Sequence, residues 1–303
     1  GALNEKVLIN ELFIYLLVDV AVAVSDYFLE HKQFNPVLDE IGAQPRSLKA
    51  VYHEALRWEK MPNRSEALTV EMVEYLYDHG SKLHQDSSAA AIADWMVFSL
   101  QAGFRVSEYA QSCSAIHMSI DSRVTKNLDG SPKAFLFSDF SFSGPNRRPV
   151  NKNKRHCAAI HITWRFQKNM QNGERIPFAR NNRNPKFCPV RAAYRIIKRA
   201  ERLHLGDDSP IAVSQSPNKR VKSVAFLTSG CIATSLKQAA KSVHKITSSE
   251  DLKNFTPHSP RVGACVLLHQ LKKQPDYSKK RLRWRSDTYQ DYLRHIDDVA
   301  TDM

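Results

Sequence analysis

The sequence predicts a mainly α protein with a small antiparallel β-sheet, an α+β fold, and three observations predict it. Apolar residues recur at helical spacing along most of the 303 residues. One central stretch, CAAIHITWRF (157–166), alternates instead and is rich in β-branched residues, which is strand-like. Shortly after it, Asn172-Gly173 supplies the left-handed dipeptide that turns a hairpin. The length suffices for two domains, and an apolar content of 42% provides their cores.

In chain order, residues 4–31 carry apolar spacing for one or two helices, and Leu48–Lys60 repeats it after the turn-like GAQPRS. MPNRSEAL (Met61–Leu68) reads as a linker, because Pro62 breaks the preceding helix and Ser65 can cap the next. The expected organisation is a short helical domain over 1–62 and a larger domain over 63–303. The second domain opens with the helical LTVEMVEYLYDHGSKL, then a long apolar helix from Ser87 to Gln101 closed by Gly103 as a C-terminal cap. A basic loop, SGPNRRPVNKNKRH (Ser143–His156), leads to the strand pair, whose turn places Lys168 close to a hairpin tip. Helices return at Cys188–His204, with Pro189 at a first helical position, and at GCIATSLKQAAKSVHKI (Gly230–Ile246). In TPHSPRVGACVLLHQL (Thr256–Leu271), Ser259 is the expected cap, Pro260 the first helical residue, and Arg261 lies in the first turn. The closing RLRWRSDTYQDYLRH (281–295) places Tyr289 and Tyr292 one helical turn apart.

Charge narrows the partner. The chain has net charge +13; residues 1–62 hold nine acidic and six basic side chains, net −3, which leaves +16 for residues 63–303. That surplus favours a polyanion, nucleic acid before a small acidic substrate or an anionic membrane, and no membrane partner is expected. The five cysteines are widely spaced and form no CxxC, so neither a disulfide framework nor a zinc cluster is expected and a reducing compartment is. The apolar run Leu12–Val24 is too short to span ~30 Å of hydrocarbon and contains Asp19, which reads as a buried helix or a contact between protomers. Gly1 in place of a methionine leads one to expect further residues upstream. There is no GxxxxGK[ST], GxGxxG or HExxH motif and no carboxylate cluster suited to two metals, so no cofactor is expected.

What remains is a set of cations and phenols. His258 and Arg261 lie beside a helix N-terminus, where N–H groups and the dipole favour a phosphate. In AGFRVSEYAQ (Ala102–Gln111), Arg105 and Glu108 are spaced to pair on one helix face. Taken singly, each has an ordinary surface reading. Taken together, Arg105, Lys168, His258, Arg261, Trp284 and Tyr292 resemble, in order and near spacing, the active site of the tyrosine recombinases. GFRVSE resembles the family's first-arginine motif, QKNMQNGER its lysine hairpin, HSPR its His-x-x-Arg box, and Trp284 its His-or-Trp position. More narrowly, QKNMQNGERIPF, RVGACVLLH and LRWRSDTYQDYLR look like the recombinases of Crypton and DIRS-type mobile elements. The likeness runs from about Glu66 to the end. Tyr292 lies eight residues after Trp284, about one short of the bacterial and phage spacing, so Tyr289 stays an alternative nucleophile.

The resemblance implies a DNA strand-exchange enzyme that acts through a 3′-phosphotyrosyl intermediate without metal or ATP. Tyr292 is then the nucleophile, Arg105 and Arg261 clamp the phosphate, Lys168 protonates the leaving oxygen, His258 handles the phenolic proton, Trp284 packs and donates its N–H, and Glu108 orients the arginines. The basic loop residues Arg147, Arg148, Lys152, Lys154 and Arg155, with Arg283 and Arg285 beside Trp284, are the expected DNA contacts. The family further implies a homo-oligomer of four protomers on two duplexes of double-stranded DNA. NKNKR (Asn151–Arg155) and KRVK (Lys219–Lys222) suggest a nuclear location. Two alternatives share these residues: a type IB topoisomerase-like nicking-closing enzyme, and a domesticated DNA-binding protein that no longer cuts.

Overall fold

The computed structural model describes residues 65–111, 130–146, 148–150, 157–165, 172–216, 224–284 and 287–293. The chain divides between residues 63 and 64, and every described residue belongs to the second unit. The helices expected in 1–62 and the Leu12–Val24 run lie outside the described residues.

Helix α1 (Val70–Ser81) is capped by Thr69, whose hydroxyl accepts from the Met72 N–H at 3.3 Å. Ser65 does not cap it; its hydroxyl instead bonds Thr256 Oγ1 at 2.6 Å, because the segment before α1 is tied across to a distant part of the chain. Helix α2 (Ser88–Ala102) runs through the core and is buried on every side from Ala91 to Leu100, Asp94 included, the pattern of a helix with no solvent face over that span. Ser87 caps its start, and Gly103, at φ 57°, ends it as expected.

Strands β1 (Phe140–Ser143), β2 (Ala159–Trp164) and β3 (Glu174–Ala179) form an antiparallel sheet in the order β1-β2-β3. Phe140 pairs with Ile162, and Ile162 with Ile176, so one face buries Phe142, Ile160, Trp164 and Phe178. These rings meet Phe98 of α2 and Phe104 just after it, which fixes the sheet to the helical core. The hairpin departs from expectation in its loop. Trp164 pairs with Glu174, and the Gly173 N–H donates to the Trp164 carbonyl at 2.7 Å, so Asn172-Gly173 lies just before β3 and is not a two-residue turn between the paired strands.

Helix α3 (Pro189–Arg202) begins with Pro189, as expected. A two-stranded sheet, β4 (Val213–Gln215) with β5 (Val224–Phe226), was not anticipated; its strands of three residues are too short to show a period. Four helices follow: α4 (Ser229–Val243), α5 (Ser249–Lys253), α6 (Ser259–Gln270) and α7 (Pro275–Leu282). A 3₁₀ segment, Asp287–Tyr292, carries both candidate phenols. The described residues are thus mainly helical with a small antiparallel sheet, the fold class the sequence predicts.

Candidate active site

The site is built where α2 ends. Gly103 holds the left-handed conformation, and a Cβ there would overlap Leu282 Cδ2, so both backbone and space call for glycine. The chain then makes a 3₁₀ turn over Val106–Glu108 instead of the helix expected. The expected pair still forms: Glu108 Oε2 accepts from the Arg105 N–H at 2.9 Å and Oε1 from Arg105 Nη1 at 3.2 Å. The Arg105 side chain keeps a quarter of its surface exposed, whereas Glu108 is buried.

Helix α6 supplies the second group, one residue out of the expected register. His258 occupies the N-cap, Ser259 and Pro260 the first two helical positions. The Ser259 hydroxyl accepts from the Thr256 N–H at 3.0 Å, and its carbonyl accepts from the Leu68 N–H at 3.0 Å. Gly263 lies so close to Leu68 that a Cβ would overlap the Leu68 carbonyl oxygen. The start of the domain therefore clamps the helix end that carries His258 and Arg261. Arg261 is 1% exposed; it donates from Nη1 to the Gly103 carbonyl at 2.6 Å and from Nη2 to the Leu282 carbonyl at 2.8 Å. Its guanidinium lies 4.7 Å from the centre of the Trp284 ring.

The two tyrosines separate sharply. Tyr292 Oη lies 3.0 Å from His258 Nε2, and its ring stacks on Trp284 at 5.3 Å. Tyr289 is 6% exposed and packs among Ala264, Cys265 and Leu282, with Lys279 over its ring. Only Tyr292 faces the histidine and the arginines.

Electrostatics follow from crowding. Burial pulls the His258 imidazole below its ordinary value, and the charges of Arg261 and Arg105 push it the same way, so it is neutral at neutral pH. Burial, with Arg283 and Arg105 nearby, brings Arg261 down to about 9, still charged at neutral pH. Burial alone would raise the Glu108 carboxyl, but Arg283, Arg261 and Arg105 together hold it below the usual value.

One expected residue is corrected. Arg283, read as a DNA contact, points inward: its side chain is 0% exposed and pairs with Glu108 Oε2 at 3.0 Å. Being at the C-cap of α7, at φ 59°, it turns back beneath Gly103 rather than out to solvent. Arg148 is exposed in the turn after β1. Lys168, Arg147, Lys152, Lys154, Arg155 and Arg285 lie outside the described residues. Sequence reasoning missed the roles of Gly263 and Leu68. Gly263 carried a signal, a glycine inside a helical pattern that costs ~1 kcal/mol unless something lies close; Leu68 carried none. Among the described residues there is no group of three or more side chains suited to hold a metal ion.

No protein-family model and no curated protein matches the sequence. Among solved structures, the chain is similar to the XerH site-specific recombinase bound to difH substrate in a pre-cleavage complex, with TM-score 0.44 and 12% identity over 86% of this chain and 67% of that one.

Proposed function

We propose that this chain breaks and rejoins DNA through a covalent bond between Tyr292 and a backbone phosphate, in the manner of a tyrosine recombinase. The observation that carries the reading is the Tyr292 hydroxyl 3.0 Å from a half-buried, neutral His258, beside three guanidiniums gathered around Glu108. Arg105, Arg261 and Arg283 surround Glu108, and Glu174 also acts on Arg283, so three positive charges against two negative leave these groups positive, suited to the one further negative charge that a phosphodiester takes on as its phosphorus becomes five-coordinate.

Each step then has a group. His258 Nε2 takes the phenolic proton, which an ordinary tyrosine of pKa ~10 gives up poorly at neutral pH. Tyr292 Oη forms the bond to phosphorus, and the bond from phosphorus to the 5′ oxygen breaks, which leaves a 3′-phosphotyrosine. Lys168 delivers the proton to the departing oxygen. Arg105, partly exposed, is the first fork that the non-bridging oxygens meet, while Arg261 supports them from beneath Trp284 with N–H groups beyond the two engaged by carbonyls. Loss of one such donor costs ~3–4 kcal/mol of transition-state stabilisation. A 5′ hydroxyl from another strand reverses the sequence, so the bond energy is kept and neither nucleotide nor metal is consumed.

The test is to incubate the protein with a library of nicked suicide duplexes of random sequence and to sequence the trapped DNA. The modified residue is then mapped by mass spectrometry. A link at Tyr292, with recombinant joints when two matching duplexes are supplied, supports the reading. A link at Tyr289 moves the nucleophile. Relaxation of supercoils without joints points to a nicking-closing enzyme, and no adduct on any sequence in the library to a DNA-binding protein that does not cut.

A further inference from the structure

Arg283 is costly where it stands. A non-glycine residue in the left-handed region costs roughly 1–2 kcal/mol, and a fully buried guanidinium must be desolvated as well. Its contacts show what that cost maintains. Nη2 donates to both Glu108 carboxylate oxygens, at 3.0 and 3.3 Å, and to the Gly103 carbonyl at 3.3 Å. Nη1 donates to the Ala102 carbonyl at 3.0 Å. The guanidinium also lies 4.1 Å from the centre of the Trp164 ring, at the end of β2. Arg283 thus touches the end of α2, the carboxylate that holds Arg105, and the end of β2. Its own carbonyl neighbour, that of Leu282, holds Arg261.

We infer that Arg283 is a positioning residue for the phosphate clamp: through Glu108 it fixes the direction of the Arg105 guanidinium, and it contacts no substrate itself. The inference rests on the strand-transfer reading above. Glu108 faces Arg105, Arg283 and Arg261 on one side and, across a cavity of about 10 Å³, Lys133, Asp139 and Arg165 on the other. Without Arg283, burial opposes the ionised carboxylate with less to offset it, and Arg105 loses the fixed partner that aims its fork.

The experiment compares Arg283→Met with the unchanged protein on two suicide duplexes of the selected sequence. One carries the normal scissile phosphate; the other carries a methylphosphonate, which lacks the charge a guanidinium clamp must neutralise. A positioning role predicts that Arg283→Met slows adduct formation on the phosphate by roughly 10- to 100-fold, the scale of losing an orienting partner, but by less than about threefold on the methylphosphonate. Equal losses on both substrates overturn the inference, since a loosened fold slows every substrate alike. Should Arg283→Met not fold, Arg283→Lys, which keeps the charge but not the fork, is expected to show the same unequal loss. If the unchanged protein forms no adduct on either duplex, the strand-transfer reading falls and takes this inference with it. If it forms adducts and only the unequal loss is missing, this inference falls alone.

Discussion

Two clusters of arginine lie inside this domain, and they are built on opposite rules. Between α2 and α3, Asp94 accepts from Arg195 at 2.5 Å and from Arg199 at 2.7 Å, while Asp86 accepts from Arg202 at 2.6 Å. Three guanidiniums meet two carboxylates, and the side chains of Arg195 and Arg202 keep 32% and 37% of their surface exposed. At the candidate active site Arg105 and Arg283 pair with Glu108, Arg261 acts on it only through its charge, and Arg261 and Arg283 are buried. The first cluster is nearly self-neutralised and serves as a brace. Among the described residues the second has more guanidiniums than carboxylates around it, with Glu108 and, acting on Arg283, Glu174, which is the arrangement to expect where an anion is to be received.

The sharpest break in that comparison comes from the phenol. Tyr292→Phe should abolish covalent adducts while DNA affinity, measured by gel shift, stays within about twofold; Tyr289→Phe should still form them. Next come the two carboxylates. Asp94→Ala strips the brace of a buried partner and should destabilise the fold by about 3–5 kcal/mol, seen in thermal melts, with the adduct rate per folded molecule unchanged. Glu108→Gln should also melt earlier, yet its adduct rate per folded molecule should fall by about 10- to 100-fold. An equal fall for both variants would erase the distinction between brace and clamp.

Gly103→Ala sits between these effects. Its left-handed backbone and the Leu282 side chain both resist a Cβ, so a loss of about 1–3 kcal/mol is expected. Because the Gly103 carbonyl holds Arg261 and Arg283, adduct formation should drop with it.

The smallest effect is that of pH. His258 is depressed in the folded state, so the unfolded chain binds the extra proton and stability rises with pH. This contribution is complete above the ordinary imidazole value of 6.5 and is lost as pH falls from there through the lowered folded value. Adduct formation, which needs the neutral base, should hold down to about the same pH and decline only below it. A His258→Gln variant should lose that acid limb while its melting becomes less sensitive to pH in this range.

Much of this was legible from composition and spacing. The apolar α2, the cap at Gly103, Pro189 at a helix start and the alternating strands all rest on local rules that a few neighbouring residues satisfy by themselves. The grouping of Arg105, His258, Arg261, Trp284 and Tyr292 was legible as a pattern of order. Arg283 was misread for a plain reason: a charged residue flanked by other basic residues is normally solvated, and nothing within ten positions of it shows that a carboxylate 175 residues away is buried beside it. A comparable separation hid the bond from Leu68 to Ser259.

The sequence by itself determined the class of fold, the sign of the charge and which residues are candidates for the chemistry, because period, propensity and charge are properties of short stretches. Tertiary structure alone decided which tyrosine faces the histidine, which arginine turns inward, and how Arg105 and Arg283 come to share one carboxylate. Those choices depend on desolvation and close packing between segments far apart in the chain, and such energies exist only once the segments have met.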